Sequence, residues 1–251
     1  MTTRTLTFSG STGAELDGVL HVPDGEARGS ILLAHCFTCS KDLHTMTRLA
    51  RGLADSGYAV LRFDFTGLGE SEGDFATTTV ANDVRDIVHA ATTLIEEGFG
   101  PCGMLGHSLG GAAVLLAAQR IHTVRSVVTI GAPSSPSHVR HVFEDAEDAD
   151  GDGDRVHVRI GGRGFEVARS FLDDLDDHDQ KGAVAELGRP LLVLHAVDDE
   201  VVEVGEGERI FTAARQPRAF VPLLGTDHLL TDRAAAEVAL TWARHWFDAT
   251  L

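Results

Sequence analysis

The sequence predicts an α/β fold: a mostly parallel central sheet of about eight strands, helices on both faces, and a small insertion after the sixth strand. Three observations predict it. Continuously apolar runs such as Ser30-Ile31-Leu32-Leu33-Ala34 read as strands covered on both faces. Segments with apolar residues at helical spacing alternate with these runs, as parallel strands joined by crossover helices require. The chain has 251 residues and is 43% hydrophobic, enough for one substantial core and too little for a second full domain. One domain over residues 1–251 is therefore expected, with 133–188 as a cap.

The elements follow in order. Thr5 to Phe8 and Glu15 to Val22 alternate as an antiparallel strand pair around the turn Ser9-Gly10-Ser11-Thr12-Gly13. After the strand at 30–34, residues 41–56 carry helical spacing through Leu43, Met46, Leu49, Ala50 and Leu53, and Gly57 stops that helix. The unit repeats as Tyr58 to Phe63 (strand), Val80 to Glu97 (helix), Cys102 to Gly106 (strand), Leu109 to Ile121 (helix) and Ser126 to Gly131 (strand). It resumes after the insertion with Leu191 to His195, a helix near Gly207 to Ala214, a strand at Ala219 to Leu223 and a helix from about Ala234 to Phe247. Within the insertion, Val156 to Ile160 and Gly164 to Val167 suggest a small strand pair. Ala168 to Leu175 reads as a short helix and Asp176 to Asp179 as a loop.

Charge excludes some functions. The net charge is −17, from 38 acidic and 21 basic residues, and such a surface repels phosphate backbones, so no nucleic-acid partner is expected. Only Lys41 and Lys181 are lysines. That profile fits adaptation to high salt, which predicts stability rising from low to molar salt, but GC-rich coding alone also favours Arg over Lys and enriches Asp. No run approaches the ~18–20 apolar residues of a membrane helix, and the N-terminus lacks the regions of a signal peptide, so a cytoplasmic protein without a membrane partner is expected.

Cys36, Cys39 and Cys102 make an odd count, which argues against a disulfide framework. Cys36 and Cys39 have C-x-x-C spacing, yet neither a thioredoxin-like unit nor a second pair of zinc ligands accompanies them. In the acidic run Glu144 to Asp154, Asp148-x-Asp150-x-Asp152-Gly153 copies the start of a calcium loop. The twelfth position is Arg159 rather than Glu, so a solvated acidic loop is the expectation. No metal and no organic cofactor are expected.

The chemistry centres on Gly106-His107-Ser108-Leu109-Gly110, placed between a strand and a helix. This is what a nucleophile elbow requires, because the turn is tight enough to admit only small residues beside an exposed serine. A serine hydroxyl needs a base, and the base needs a carboxylate to hold its tautomer. The expected chain order is Ser, then Asp or Glu, then His, each beyond the carboxyl end of a strand. Asp198, Asp199 and Glu200 follow the strand ending at His195; Asp199 is chosen for its spacing to Val202, with Asp198 and Glu200 as alternatives. His228, in Gly225-Thr226-Asp227-His228 between the last strand and last helix, is the base among thirteen histidines. Surface or packing roles are expected for His21, His44, His89, His122 and His245, and His107 should pack beside the nucleophile. The oxyanion donors should be the backbone N–H groups of Leu109, at the positive end of its helix, and of Phe37 in the loop after Ala34.

Through His35-Cys36-Phe37, Asp64-Phe65-Thr66-Gly67-Leu68-Gly69-Glu70-Ser71, Gly106 to Gly111, Asp199 and Gly225 to His228, the chain resembles the α/β-hydrolase superfamily along nearly its whole length. More narrowly, residues 35–42 and 64–69 look like the hydrolase half of bacterial and archaeal proteins fused to an OsmC-like domain. Because the sequence ends at Leu251, that likeness implies a stand-alone relative. The resemblance implies a Ser108, His228, Asp199 triad and oxyanion donors Phe37 and Leu109. Cys36 stands where the commonest pattern has Gly, which costs backbone freedom and puts a thiol near the active site.

The expected function is a serine hydrolase, a carboxylesterase acting on small esters through an acyl-enzyme. The alternatives are a serine peptidase or amidase, which shares the triad, and a non-catalytic protein binding a small ligand on the same fold.

Overall fold

In a computed structural model of the chain, residues 1–100, 102–143, 147–148, 154–160 and 163–251 are described. Strands β1 (Thr2–Ser9) and β2 (Glu15–Val22) lead into β3 (Ser30–Ala34), α1 (His44–Asp55), β4 (Ala59–Phe63), α2 (Val80–Glu96), β5 (Cys102–His107), α3 (Leu109–Ala117) and β6 (Val124–Ile130). The insertion carries the short strands β7 (Glu147–Asp148), β8 (Arg155–Ile160) and β9 (Arg163–Ala168), then the short helices α4 (Arg169–Asp174) and α5 (Gln180–Ala185). The main fold resumes with β10 (Leu191–Ala196), α6 (Val204–Ala213), β11 (Arg218–Leu223) and α7 (Arg233–Thr250). Among the described residues no helix is long and apolar enough to cross a membrane.

Eight strands form the central sheet in the order β1-β2-β4-β3-β5-β6-β10-β11. β2 pairs antiparallel with β1 and β4, and the remaining neighbours are parallel. The inner strands are apolar on both faces because both are covered. Leu32 and Ala34 of β3 join the core shared with α2 and α3, while Ile31 and Leu33 join the core shared with α1 and α7. Val156, Val158, Val167 and Phe171 of the insertion extend the first of these cores.

The order matters for function. The chain passes from β3 to β4 on one side, then crosses back to β5 on the other. The loops leaving β3 and β5 therefore part towards α1 and α3 on opposite faces, the arrangement at whose carboxyl ends α/β sheets place their sites.

Several boundaries differ from expectation for identifiable reasons. The helix expected over 41–56 begins at His44, because the Lys41 N–H donates to Asp64 Oδ1 at 2.6 Å and holds that stretch in a loop. The helix expected to reach Ile121 leaves α geometry at Ala117 and closes in a 3-10 turn, Ala118–Arg120. β1 extends back to Thr2, which pairs with Val22. The expected strand pair in the insertion is β8 with β9, joined by β7 on the outer side of β8. α5 was not foreseen; six residues with a glycine inside give little periodicity, and Asp179 caps it through the Gly182 N–H at 2.8 Å. Asp150, Asp152 and Gly153 of the calcium-like motif lie outside the described residues.

Candidate active site

The elbow is built by steric exclusion. A Cβ on Gly106 would lie 2.3 Å from Gly110 O, and one on Gly110 would lie 2.2 Å from His35 O, so side chains at either position would force the turn open. The turn drives Ser108 to φ 55°, ψ −127°, a conformation that L-residues avoid unless their surroundings impose it. The Ser108 N–H is held by Ile130 O at 2.8 Å, tying the turn to β6. The approach of Gly110 to His35 also presses the segment carrying Leu109 against the one carrying Phe37.

Three side chains from three loops converge. His228 Nε2 lies 2.8 Å from Ser108 Oγ, and its Nδ1 lies 2.7 Å from Asp199 Oδ2. With Nδ1–H donating to the carboxylate, Nε2 is left to accept from the serine hydroxyl. Asp199 Oδ1 accepts from the Val201 and Val202 N–H groups at 2.9 and 2.8 Å. Burial pushes the Asp199 carboxyl up, but the His228 ring and these two amides outweigh it and hold its pKa below the ordinary value. Ser108, His228 and Asp199 are 6%, 7% and 8% exposed, whereas Asp198 and Glu200 face solvent. The spacing to Val202 that singled out Asp199 corresponds to this amide contact.

Two histidines brace this arrangement, and sequence reasoning missed both roles. His107 Nε2–H donates to His228 O at 2.8 Å, fixing the loop that carries His228 in addition to packing beside Ser108. His195 Nε2–H donates to Val202 O at 2.8 Å in the loop that carries Asp199. Burial, with the nearby His228 adding to it, lowers the His107 pKa to about 3. Burial likewise depresses that of His195. Both rings are neutral donors. Thr45 Oγ1–H adds a 2.6 Å bond from α1 to Leu229 O. The available sequence signals were position alone: one histidine inside the elbow, one at a strand end.

The loop after β3 corrects an expectation. Cys36 is no thiol: it is joined to Cys39 in a disulfide, with Cα atoms 5.3 Å apart. The turn brings them together, since the Cys39 N–H donates to Cys36 O at 3.1 Å and Thr38 sits at φ 61°. His35, its pKa lowered by burial, donates from Nδ1 to Cys36 O at 2.8 Å and accepts from the Phe65 N–H at Nε2. Beyond the turn, buried Lys41 places Nζ 2.6 Å from Asp64 Oδ2 and 2.7 Å from Asp17 Oδ1. Burial opposes that charge, but the two carboxylates outweigh it and hold the Lys41 pKa above the ordinary lysine value. The Phe37 ring stacks on Phe171 of α4 at 4.9 Å and lies 5.2 Å from Phe75, so the insertion roofs this loop with aromatic surface.

Cavities of about 570 and 450 Å³ lie against α5, α6 and α2; neither is lined by Ser108, Asp199 or His228. Cavity size does not mark this centre; converging hydrogen bonds do. Among the described residues no three His, Cys, Asp or Glu gather so as to hold a metal ion.

Comparison with known proteins identifies the fold and the family. The esterase domain of a Rhodothermus marinus protein superposes with a TM-score of 0.83 at 38% identity, covering 100% of this chain and 99% of that one. Est1E of Butyrivibrio proteoclasticus, with ferulic acid bound, gives 0.84 at 19% identity over 96% and 97% of the two chains, a likeness of fold. The mouse palmitoyl-protein thioesterase ABHD10 is 26% identical over 152 residues, 58% of this chain, and the match spans 50% of that protein's length. The model of the alpha/beta hydrolase family matches residues 31–242, and with the Rhodothermus likeness it shows that this chain belongs to that family.

Proposed function

We propose that the protein is a serine hydrolase of small carboxylic esters, with Ser108 as nucleophile, His228 as base and acid, Asp199 as the group that holds His228, and Phe37 and Leu109 as backbone oxyanion donors. The observation that carries this reading is the chain of 2.8 and 2.7 Å contacts from Ser108 Oγ through His228 to Asp199, with the serine at φ 55°. Ser108 Oγ gives its proton to His228 Nε2 as it attacks the acyl carbon. The carbonyl oxygen becomes an oxyanion facing the Phe37 and Leu109 N–H groups, and Leu109 is the first residue of α3, a position with no intrahelical acceptor for its amide. His228 then protonates the departing alkoxide, and water, activated by the same ring, releases the acid from the acyl-enzyme.

The scheme requires no metal or organic cofactor. Residues 133–188 serve as a cap on a single domain of 1–251, the substrate is a small ester, and the protein acts in the cytoplasm. The narrower kinship with the hydrolase half of OsmC-fused proteins, carried by residues 35–42 and 64–69, belongs to the same proposal.

A fluorophosphonate probe should label the protein and fail to label Ser108→Ala, whose turnover of p-nitrophenyl acetate should fall at least ~10³-fold. Folded, unlabelled wild-type protein would overturn the reading. A panel of p-nitrophenyl esters graded by acyl length should favour short chains beneath so small a cap. It should include an aromatic acyl group, given Phe37, Phe75 and Phe171.

A further inference from the structure

We propose that the Cys36–Cys39 disulfide is a thiol–disulfide exchange site that sets the oxyanion loop, and that a dithiol reductant, by opening it, lowers acyl transfer at Ser108. The proposal rests on the hydrolase reading above and adds a second reactive centre to it.

The placement of the bridge is the first argument. It spans a sequence separation of 3, and the two enclosed residues are Phe37 and Thr38. Phe37 carries a proposed donor. So short a covalent loop adds little to the stability of the whole chain, because the gain grows with the length of chain enclosed. Its effect is local.

Thr38 is the second argument. It sits at φ 61°, where a β-branched residue is rarely found without outside constraint. The disulfide closes this turn covalently, and the Cys39 N–H to Cys36 O bond spans it as well. With the sulfurs parted, the turn loses its covalent closure, and the 3.1 Å Cys39 N–H to Cys36 O bond and the packing of the Phe37 ring on Phe75 and Phe171 are left to hold it. Return of Thr38 to negative φ rotates the backbone next to the Phe37 amide. A misplacement of about 1 Å in such a site can cost ~10²-fold in rate.

The flanks are anchored independently. On one side His35 bonds Cys36 O and Phe65 N; on the other the Lys41 N–H and Nζ are fixed on Asp64. Reduction therefore releases the turn and leaves the fold, which makes the change reversible.

Access decides the order of events. Cys36 is 3% exposed, while Cys39 is only partly buried. A thiolate of the reductant attacks Cys39 Sγ, the protein S–S bond breaks, and Cys36 Sγ leaves with the electron pair. The second thiol of the reductant then attacks the reductant sulfur of the mixed disulfide and releases Cys39 Sγ. The two protons of the dithiol end on the two cysteines, the protein gains two electrons, and the reductant departs as its disulfide.

The test uses the full chain with Cys102→Ala, so that the pair supplies every thiol. Under excess dithiothreitol, mass-resolved alkylation of the native protein should move from no modified cysteine to two. On p-nitrophenyl acetate kcat should fall at least about tenfold, short of the ~10²–10³ expected for complete loss of one donor. KM should stay within about twofold, as befits an interaction made in the transition state. Oxidised glutathione should restore activity, and Cys36→Ser/Cys39→Ser should match the reduced enzyme and ignore both reagents. Two thiols with unchanged kcat would overturn the proposal, as would a pair that never becomes alkylated in the native protein. Equal fluorophosphonate labelling rates in both states would overturn the gate alone; absence of labelling in both would overturn the hydrolase reading and the gate with it.

Discussion

The two halves of the site are held by different kinds of force. Beyond β10 and β11 the loops carrying Asp199 and His228, the proposed acid and base, are fixed by neutral hydrogen bonds, from His107 to His228 O, from His195 to Val202 O and from Thr45 to Leu229 O. Beyond β3 and β4 the proposed oxyanion side is fixed mainly by charge and a covalent link: Lys41 between Asp64 and Asp17, Arg62 on Lys41 O and Asp42, and the Cys36–Cys39 bridge, with the His35 ring on Cys36 O as its neutral clamp. The proposed work of His228 explains the division. A charged clamp in contact with it would bias its proton affinity, whereas a neutral imidazole donor fixes position without adding a full charge. The oxyanion side changes no protonation state of its own and tolerates ions.

The largest expected effect breaks the acid–base half. Asp199→Asn should lower kcat on p-nitrophenyl acetate by ~10⁴, because an amide stabilises neither the required tautomer nor the imidazolium. Asp198→Asn, at an exposed neighbouring position, should change kcat by less than about twofold. A reversed pair of results would move the acid to Asp198.

The ionic half should fail differently, through stability. Asp64 is fully buried and receives both the Lys41 ammonium and the Lys41 and Glu70 N–H groups. Asp64→Asn leaves that ammonium with the more exposed Asp17 alone and should cost about 2–4 kcal/mol in urea unfolding, below the ~3–5 kcal/mol of a fully orphaned buried charge. Adding Lys41→Met should recover part of the loss, since the orphaned charge goes with it. If the double variant is no more stable than Asp64→Asn alone, the ion pair is not what Asp64 contributes.

Legibility in the sequence follows the same line. Ser108 was readable because its requirements are local: small residues at Gly106 and Gly110, a strand before and a helix after. His228 and Asp199 were readable as members of ordered loops at strand ends, but Asp199 and Asp198 differ only in which way each faces, a property of the folded loop. The role of His107 depends on a carbonyl 121 residues away, and no local pattern encodes that. Lys41 misled because helical spacing runs through it, while the Asp64 carboxylate that holds it in a loop lies 23 residues on. The disulfide was obscured by arithmetic: three cysteines argue against pairing, yet a turn brings two of them together regardless of the third.

The smallest effect tests the neutrality of the histidine clamps. In the folded protein the His107 pKa is about 3, against an ordinary 6.5. Between those values the unfolded chain binds a proton that the folded chain refuses. The stability this ring contributes is therefore complete above about pH 6.5 and drains as pH falls towards 3, by up to one proton, or about 1.4 kcal/mol per pH unit. His107→Gln keeps an N–H able to reach His228 O and cannot titrate. Urea midpoints measured from pH 7 to pH 4 should fall less steeply for this variant, by up to one proton, even if its stability at pH 7 is about 1 kcal/mol lower. An unchanged slope would mean that the ring is already charged in the folded state, and the contrast between neutral and ionic clamps would collapse.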